Sequence, residues 1–241
     1  FLPSQNAEDI FERINIDFLL EPDWHGPDTD LIREFSIVLS NLGLNLFYSD
    51  KREDAQFCAE LASKLMRNNV NHQGAHFDEL SADNLVLAAI NLSVIYSGLG
   101  LDVQALDASE EAVRVSEKLD DIYPGQYDAL LAKSLDSLAA DYNGIRRRPE
   151  AIETATRAVS IFERIGARTN LSEMEDLAAA LGNLGIAYYN VGGRIFAEMA
   201  HAHFIDALAI YEILLEQELV RFPHVLRLIA RTTQSIEANW N

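Results

Sequence analysis

This chain has few of the residues that cross-link a fold or interrupt secondary structure: of its 241 residues, one is cysteine, six are proline and twelve are glycine. The single cysteine, Cys58, cannot form an internal disulfide, and its isolation favours a reducing, intracellular setting. We therefore expect a cytoplasmic location. Because so little proline and glycine leaves few turns, the composition favours long helices over many short strands.

Basic residues are scarce as well. The chain has 19 lysines and arginines against 38 aspartates and glutamates, which gives a net charge of −19. A surface of this sign repels phosphate backbones and anionic lipid, so we expect neither nucleic acid nor a membrane surface as a partner. Basic or apolar partners remain open, and so does the alternative that the acids only solvate outer helix faces. No unbroken apolar run reaches the ~18 residues of a membrane span.

Residues 1–30 are expected to form a separate N-terminal helical segment. Apolar side chains recur there at the spacing of an amphipathic helix: Ile10, Phe11, Ile14, Phe18 and Leu19. Because Phe1 is not methionine and no signal-like stretch follows it, we expect the sequence to be a piece of a longer protein.

From residue 31 onward, long helical patterns alternate with short breaks, and no stretch shows the alternation of a β-strand. The breaks contain glycine or proline, as at Gly98-Leu99-Gly100 and before Pro149. The expected helices cover about 31–48, 52–68, 83–97, 102–120, 127–143, 149–166, 174–191 and 195–220, with a last one from Pro223 toward Trp240. This pattern predicts an all-α fold.

The helix pairs repeat with a period near 46 residues. The alignment point is a small residue in the first helix of each pair: Gly43, Ser93, Ala139 and Gly185. Each follows a leucine, and three residues after it come Leu46, Tyr96, Tyr142 and Tyr188. Twelve residues after it there is always an alanine: Ala55, Ala105, Ala151 and Ala197. The small residues are expected to let the two helices of a pair cross closely.

These offsets resemble the tetratricopeptide repeat, whose Leu-Gly-x-x-Tyr and Ala-x-x-x-Phe signature marks a helix–turn–helix unit. The resemblance covers four repeats, at about 31–68, 83–120, 127–166 and 174–220, with 221–241 as a C-terminal capping helix. The long period is similar to that of the extended repeats in kinesin light chains and in fungal and bacterial signalling proteins. The resemblance implies a right-handed α-solenoid of four extended helix pairs, with the first helices on the inner wall.

The chain departs from the family pattern in three respects. The usual proline after the second helix is absent, and its place is taken by Arg67, Glu117, Glu163 and Ala209. The position of the family's tryptophan carries other residues: Leu39, Ala89, Leu135 and Leu181. The last repeat has His201 and Phe204 where earlier repeats have small residues, so its second helix is expected to pack at a wider angle.

The helix face opposite the packing seam is the candidate peptide-binding groove. At 100° per residue it carries aliphatic residues and a row of asparagines with one serine, rather than mainly charge. The candidate groove residues are Asn41, Leu44, Tyr48, Leu87, Asn91, Val94, Lys133, Ser137, Asn183, Ile186 and Asn190. Amide side chains can both donate to and accept from an extended peptide backbone, so this row could hold a peptide. The resemblance to kinesin light chains, which use inner-groove asparagines for their partners, implies the same.

Two alternatives to an open groove stay open. The asparagines could instead tether neighbouring helices or bind water. The amphipathic N-terminal segment could also fold back and cover the aliphatic residues.

Signals for catalysis and metal binding are weak. His72 and His76 lie near Asp78, but they flank Gly74 in an expected loop and have no firm third ligand. Asp120-Asp121 resembles the acidic pair of helical prenyl-diphosphate enzymes, yet no second such motif follows. No nucleophile elbow, phosphate-binding loop or dinucleotide fingerprint occurs. We therefore expect no cofactor and no metal.

The sequence thus favours a non-catalytic scaffold or sensor module that binds a protein or peptide. Its alternatives are a small-molecule-sensing or regulatory domain of a larger signalling protein, and a non-standard all-α enzyme. The oligomeric state does not follow from the sequence.

Overall fold

The computed structural model describes residues 29–72 and 79–216, which form eight helices and no strand. The helices are α1 (Thr29–Tyr48), α2 (Arg52–His72), α3 (Glu79–Gly98), α4 (Asp102–Ile122), α5 (Asp128–Gly144), α6 (Arg148–Arg164), α7 (Leu171–Val191) and α8 (Arg194–Glu216). They match the predicted order, and the predicted all-α fold is confirmed.

The largest difference from the predicted bounds lies between the first two helix pairs. The sequence suggested a loop over 69–82, whereas α2 continues to His72 and α3 already begins at Glu79. Asn69 and Ser81 are both buried, and the amide nitrogen of Asn69 donates to the Ser81 hydroxyl across 3.1 Å. These two polar residues were predicted to lie in the loop but belong to the helices. Their side chains can be buried there because they form a hydrogen bond with each other.

The chain divides into two units, Phe1–Ile122 and Tyr123–Asn241. In unit 1, α1 pairs with α2, α3 pairs with α4, and α3 packs on both α1 and α2. Unit 2 repeats this arrangement, with α7 packed on α5, α6 and α8. Within each unit two helix pairs are stacked with their first helices side by side, as an α-solenoid requires.

The aligned small residues lie where the two helices of a pair meet, as predicted. A Cβ on Gly43 would lie 3.2 Å from the Ala55 carbonyl oxygen and 3.3 Å from the Ala59 amide nitrogen. Because both neighbours are backbone atoms, a side chain at Gly43 would require the two helices to move apart by a few tenths of an ångström. Ser93, Ala139 and Gly185 are buried at the equivalent positions.

The fourth pair departs from the pattern at its second helix. Ala55, Ala105 and Ala151 are buried, but Ala197 is partly exposed. The ring of Phe204, which stands where earlier repeats have alanine, is buried against Gly185. A Cβ on Gly185 would lie 2.6 Å from that ring, so the absence of a side chain at Gly185 makes room for the ring of Phe204. The wider crossing angle expected for this pair stays a prediction.

One described helix, α3, is long and apolar enough by length and composition alone to cross a membrane. Half of its most apolar stretch is buried inside the molecule. The core helix of a soluble protein passes the same test, so this is weak evidence for a span.

Several sequence predictions lie outside the described residues. They are the amphipathic helix over 7–20, the covering of the groove by that segment, the predicted continuation of the eighth helix to residue 220 and the predicted capping helix over 221–241. His76 and Asp78, which the sequence predicts to lie in a loop, and the side chain of His72 lie outside them too. Asp120 and Asp121 lie in the last turn of α4.

Candidate binding surfaces on the first helices

In unit 1, the predicted groove residues lie on two neighbouring helices, α1 and α3. Tyr48, Leu87 and Val94 are exposed apolar side chains, at 41%, 39% and 37% of their full accessible area. Leu80 extends the apolar row on α3 by one more heptad step and is also exposed. Because seven residues are close to two helical turns, Leu80, Leu87 and Val94 form one stripe along α3. We call the α1 and α3 surface that carries this stripe the open face of unit 1.

Other predicted groove residues of unit 1 contribute to packing. Leu44 is partly buried and packs against the core cluster that contains Leu92 and Ile95. Near the ends of both helices, the Phe47 ring from α1 contacts the position that a Cβ of Gly98 would occupy. These contacts fix α1 beside α3, so the exposed side chains on the two helices form one surface.

The asparagine row bonds to the neighbouring first helix. In unit 1, the Asn91 amide nitrogen donates to the Ser40 hydroxyl across 2.8 Å. In unit 2, the Asn183 amide nitrogen donates to Oδ1 of Asp136, also across 2.8 Å. Asn41 belongs to the first helix of unit 1 and is exposed. The sequence left open that these asparagines tether neighbouring helices. Asn91 and Asn183 each form one such hydrogen bond to the neighbouring first helix.

The register of the repeat explains these bonds. Asn91 and Asn183 each lie two residues before the aligned small residue of their helix. Ser40 lies three residues before the aligned small residue of α1, and Asp136 lies three residues before the aligned small residue of α5. The same pair of register positions therefore meets in both units, with a hydroxyl as acceptor in one and a carboxylate in the other. Sequence reasoning named the asparagines and missed both acceptors, although their shared register was a usable signal.

The first helices of unit 2 are joined by a second polar contact. The Lys133 ammonium lies 2.9 Å from Oδ2 of Asp176, so this predicted groove residue forms an ion pair across α5 and α7. Ser137, Asn183, Ile186 and Asn190 are partly buried. The amide nitrogen of Asn143 donates to the backbone oxygen of Asn183, which ties α5 to α7 once more. The predicted groove residues of unit 1 carry no charge, whereas the one charged predicted groove residue of unit 2, Lys133, is paired with Asp176.

Burial raises the pKa values of three acidic groups in unit 2, the Asp136 and Asp176 carboxyls and the Tyr211 phenol, which we call the acidic cluster. Burial raises the pKa of Asp136 to about 7, and the nearby Asp176 adds to the rise while the hydrogen bond from Asn183 opposes it. Burial also raises the pKa of Asp176, against the attraction of Lys133. Tyr211 of α8 is buried close by, and burial together with the charges of these carboxylates raises its phenol pKa. The acidic cluster therefore holds its protons more tightly than exposed carboxylates would.

The described residues contain no group of three or more histidine, cysteine or acidic side chains placed to hold a metal ion. Cys58 is fully buried, and burial raises the pKa of its thiol to about 11, with Asp54 adding to the rise. A thiol in that state is a packing group, because the reactive species is the thiolate.

Comparison with known proteins gives a limited result. No protein-family model and no curated protein matches the chain. Among solved structures, the chain is similar to the crystal structure of BtubC (BKLC) from P. vanneervenii, with 18% sequence identity and a TM-score of 0.49. The match covers 89% of this chain and 89% of that chain.

Proposed function

We propose that this chain is a non-catalytic binding module that holds a protein or peptide segment on the faces of its first helices. The observation that carries the proposal is the apolar stripe of Leu80, Leu87 and Val94 on α3. The remainder of α3 is largely buried against α1, α2 and α4, so the stripe is the side of this helix that the unit leaves open.

An apolar row on an otherwise packed helix supports binding over a purely structural role. Single exposed aliphatic residues are common and require no explanation, whereas an aligned row flanked by polar side chains is typical of an interaction surface. Three side chains in heptad spacing match the apolar side of an amphipathic helix. The exposed Tyr48 on α1 widens the same surface.

A displayed library of random peptides of about 16 residues, long enough to run along the stripe as a helix, tests this proposal. Peptides selected on the wild-type chain should bind the Leu87→Ser/Val94→Ser variant at least about tenfold more weakly, because two aliphatic contacts are lost. Val103→Ser is the matched control, since Val103 is 70% exposed but lies on α4.

Two results would count against the proposal. Selection could yield no peptide that binds in solution, or the selected peptides could bind the double variant as tightly as the wild type. Thermal unfolding of each variant checks that the fold is intact, and we expect a modest loss of stability because both side chains are more than half buried.

A further inference from the structure

The charges around the open face of unit 1 decide which kind of segment it fits. The face has an apolar part with Tyr48, Leu87 and Val94, and a charged part toward the start of α1 and α3. At 100° per residue, the charged part carries Asp30, Arg33, Glu34 and Asp83. Two mostly exposed carboxylates, Asp30 and Glu34, thus accompany one guanidinium, and Asp83 is partly buried.

The guanidinium does not leave this part neutral. Arg33 lies 2.7 Å from Asp30 and 3.9 Å from Glu34, and its side chain is mostly buried, whereas both carboxylate side chains are mostly exposed. The charge that faces solvent is therefore negative. After the other end of α1, the chain continues with Lys51 and Arg52, and Arg52 pairs with Asp50 at 3.0 Å.

Unit 2 does not offer the same combination on its first helices. Its groove-face cation, Lys133, is held by Asp176, and the Asp136 carboxylate accepts from Asn183. Its predicted groove residues are all partly buried, while unit 1 exposes several of them. The apolar stripe and the solvent-facing negative charge coincide on unit 1.

We propose that the open face of unit 1 binds a cationic amphipathic protein segment, with its aliphatic side chains against Leu87 and Val94 and its lysine or arginine side chains toward Asp30 and Glu34. This inference rests on the proposed function and adds the chemistry of the partner. Aliphatic contact supplies the affinity, and the negative end of the face attracts the basic part of the segment and sets its orientation. The net charge of −19 adds long-range attraction for the same partner.

Three synthetic peptides of about 16 residues test this, with one shared leucine pattern and either lysine, glutamine or glutamate at the polar positions. Binding to the full chain is measured by fluorescence anisotropy. We expect the lysine peptide to bind at least about tenfold more tightly than the glutamate peptide, and the difference to shrink as salt rises from about 0.05 to 0.5 M.

A pair of variants at one position separates charge from apolar contact. Leu87→Lys and Leu87→Glu both remove the leucine, but only the first places a positive charge on the open face. The lysine peptide should bind Leu87→Lys several-fold more weakly than Leu87→Glu. The same two substitutions at Val103, on α4, should leave its affinity within about twofold of wild type.

Equal or tighter binding of the glutamine or glutamate peptide would overturn the cationic partner and leave the proposed function standing. Failure of all three peptides to bind would also overturn it. The random-library selection judges the proposed function separately, because its outcome does not depend on the charge of the peptides.

Discussion

The Nδ2 atom of Asn183 donates a hydrogen bond to Oδ1 of Asp136 across 2.8 Å, so an amide on α7 holds a partly buried carboxylate on α5. Asn91 and Ser40 meet at the same register positions in unit 1, with a neutral acceptor. The two units thus share one interhelical contact, but only unit 2 makes it dependent on a titratable group.

Replacing Asp136 by asparagine should stabilise the chain at neutral pH. Burial raises the pKa of Asp136 to about 7 in the folded state, from an ordinary value of 3.8. Between pH 3.8 and about pH 7, the folded state therefore binds more protons than the unfolded state, and the free energy of unfolding of the wild type falls as the pH rises through this range. Asp136→Asn keeps an acceptor oxygen and removes the charge, so its advantage over wild type should grow by about 2 kcal/mol between pH 5.5 and pH 8.

Denaturant unfolding of both chains at several pH values measures this difference. Asp107→Asn is the control for loss of one negative charge, since Asp107 is exposed on α4. A constant difference between Asp136→Asn and wild type across the pH range would refute the linkage.

Removing the amide of Asn91 should weaken the contact between α1 and α3. We expect Asn91→Ala to lower the free energy of unfolding by about 1 kcal/mol, because the Ser40 hydroxyl loses its donor. Asn41→Ala, at an exposed position of the same register on α1, should cost less than about 0.5 kcal/mol. If the two variants unfold at the same denaturant concentration, the tether contributes nothing to stability.

Two glycines on α7 should respond to alanine with opposite signs. A Cβ on Gly185 would lie 2.6 Å from the Phe204 ring, whereas a Cβ on Gly182 would meet nothing within 4 Å. We expect Gly185→Ala to destabilise by roughly 1–3 kcal/mol and Gly182→Ala to stabilise by about 0.5–1 kcal/mol, since alanine is the better helix former.

The double variant Gly185→Ala/Phe204→Leu checks the cause. Because leucine fills less space than the ring, Phe204→Leu should cost less stability in the Gly185→Ala background than in the wild-type chain, and a double-mutant cycle measures that coupling. A coupling energy near zero would mean that the steric account of Gly185 is wrong.

Arg67 should stabilise unit 1 by pairing with a buried acid. Its guanidinium donates to both oxygens of Glu111, and Nε lies 2.8 Å from Oε1. The Glu111 side chain is 11% exposed, so Arg67→Met would leave a carboxylate with little solvent. Because Arg67 itself is half-exposed, we expect a loss of about 1–2 kcal/mol rather than the larger cost of a fully buried pair.

Arg114→Met is the comparison for that experiment. Arg114 lies 3.7 Å from the same carboxylate but is 74% exposed, and its loss should cost less than about 0.5 kcal/mol. Chemical denaturation of the two variants ranks them directly. Equal losses would show that the distance and burial of the Arg67 pair do not matter for stability.

The helical architecture could be predicted because it follows from local chemistry. The positions of Gly43, Ala55 and Gly185 recur at fixed offsets, and the structure buries them where helices cross. Apolar residues that recur at helical spacing over long stretches, with little proline or glycine between them, favour helices. The helix bounds were less accurate where buried polar residues, such as Asn69 and Ser81, resembled loop residues.

The candidate site was only partly predictable. The helical projection placed Leu87 and Val94 on an exposed face, and they are exposed. It also placed Asn183 there as a ligand for a peptide, but could not show that its amide nitrogen already bonds to Asp136. A projection of one helix gives the direction of a side chain and says nothing of the neighbouring helix in that direction.

The sequence by itself therefore determined the number, order and pairing of the described helices, because periodicity and small residues act within one helix pair. Only the tertiary structure decided which polar residues meet between pairs, since Asn183 and Asp136 are 47 positions apart. It also decided that unit 1 keeps its apolar stripe open while the charges of unit 2 pair with each other. The energy of a buried charge depends on groups brought close by folding, and no local pattern in the chain records that proximity.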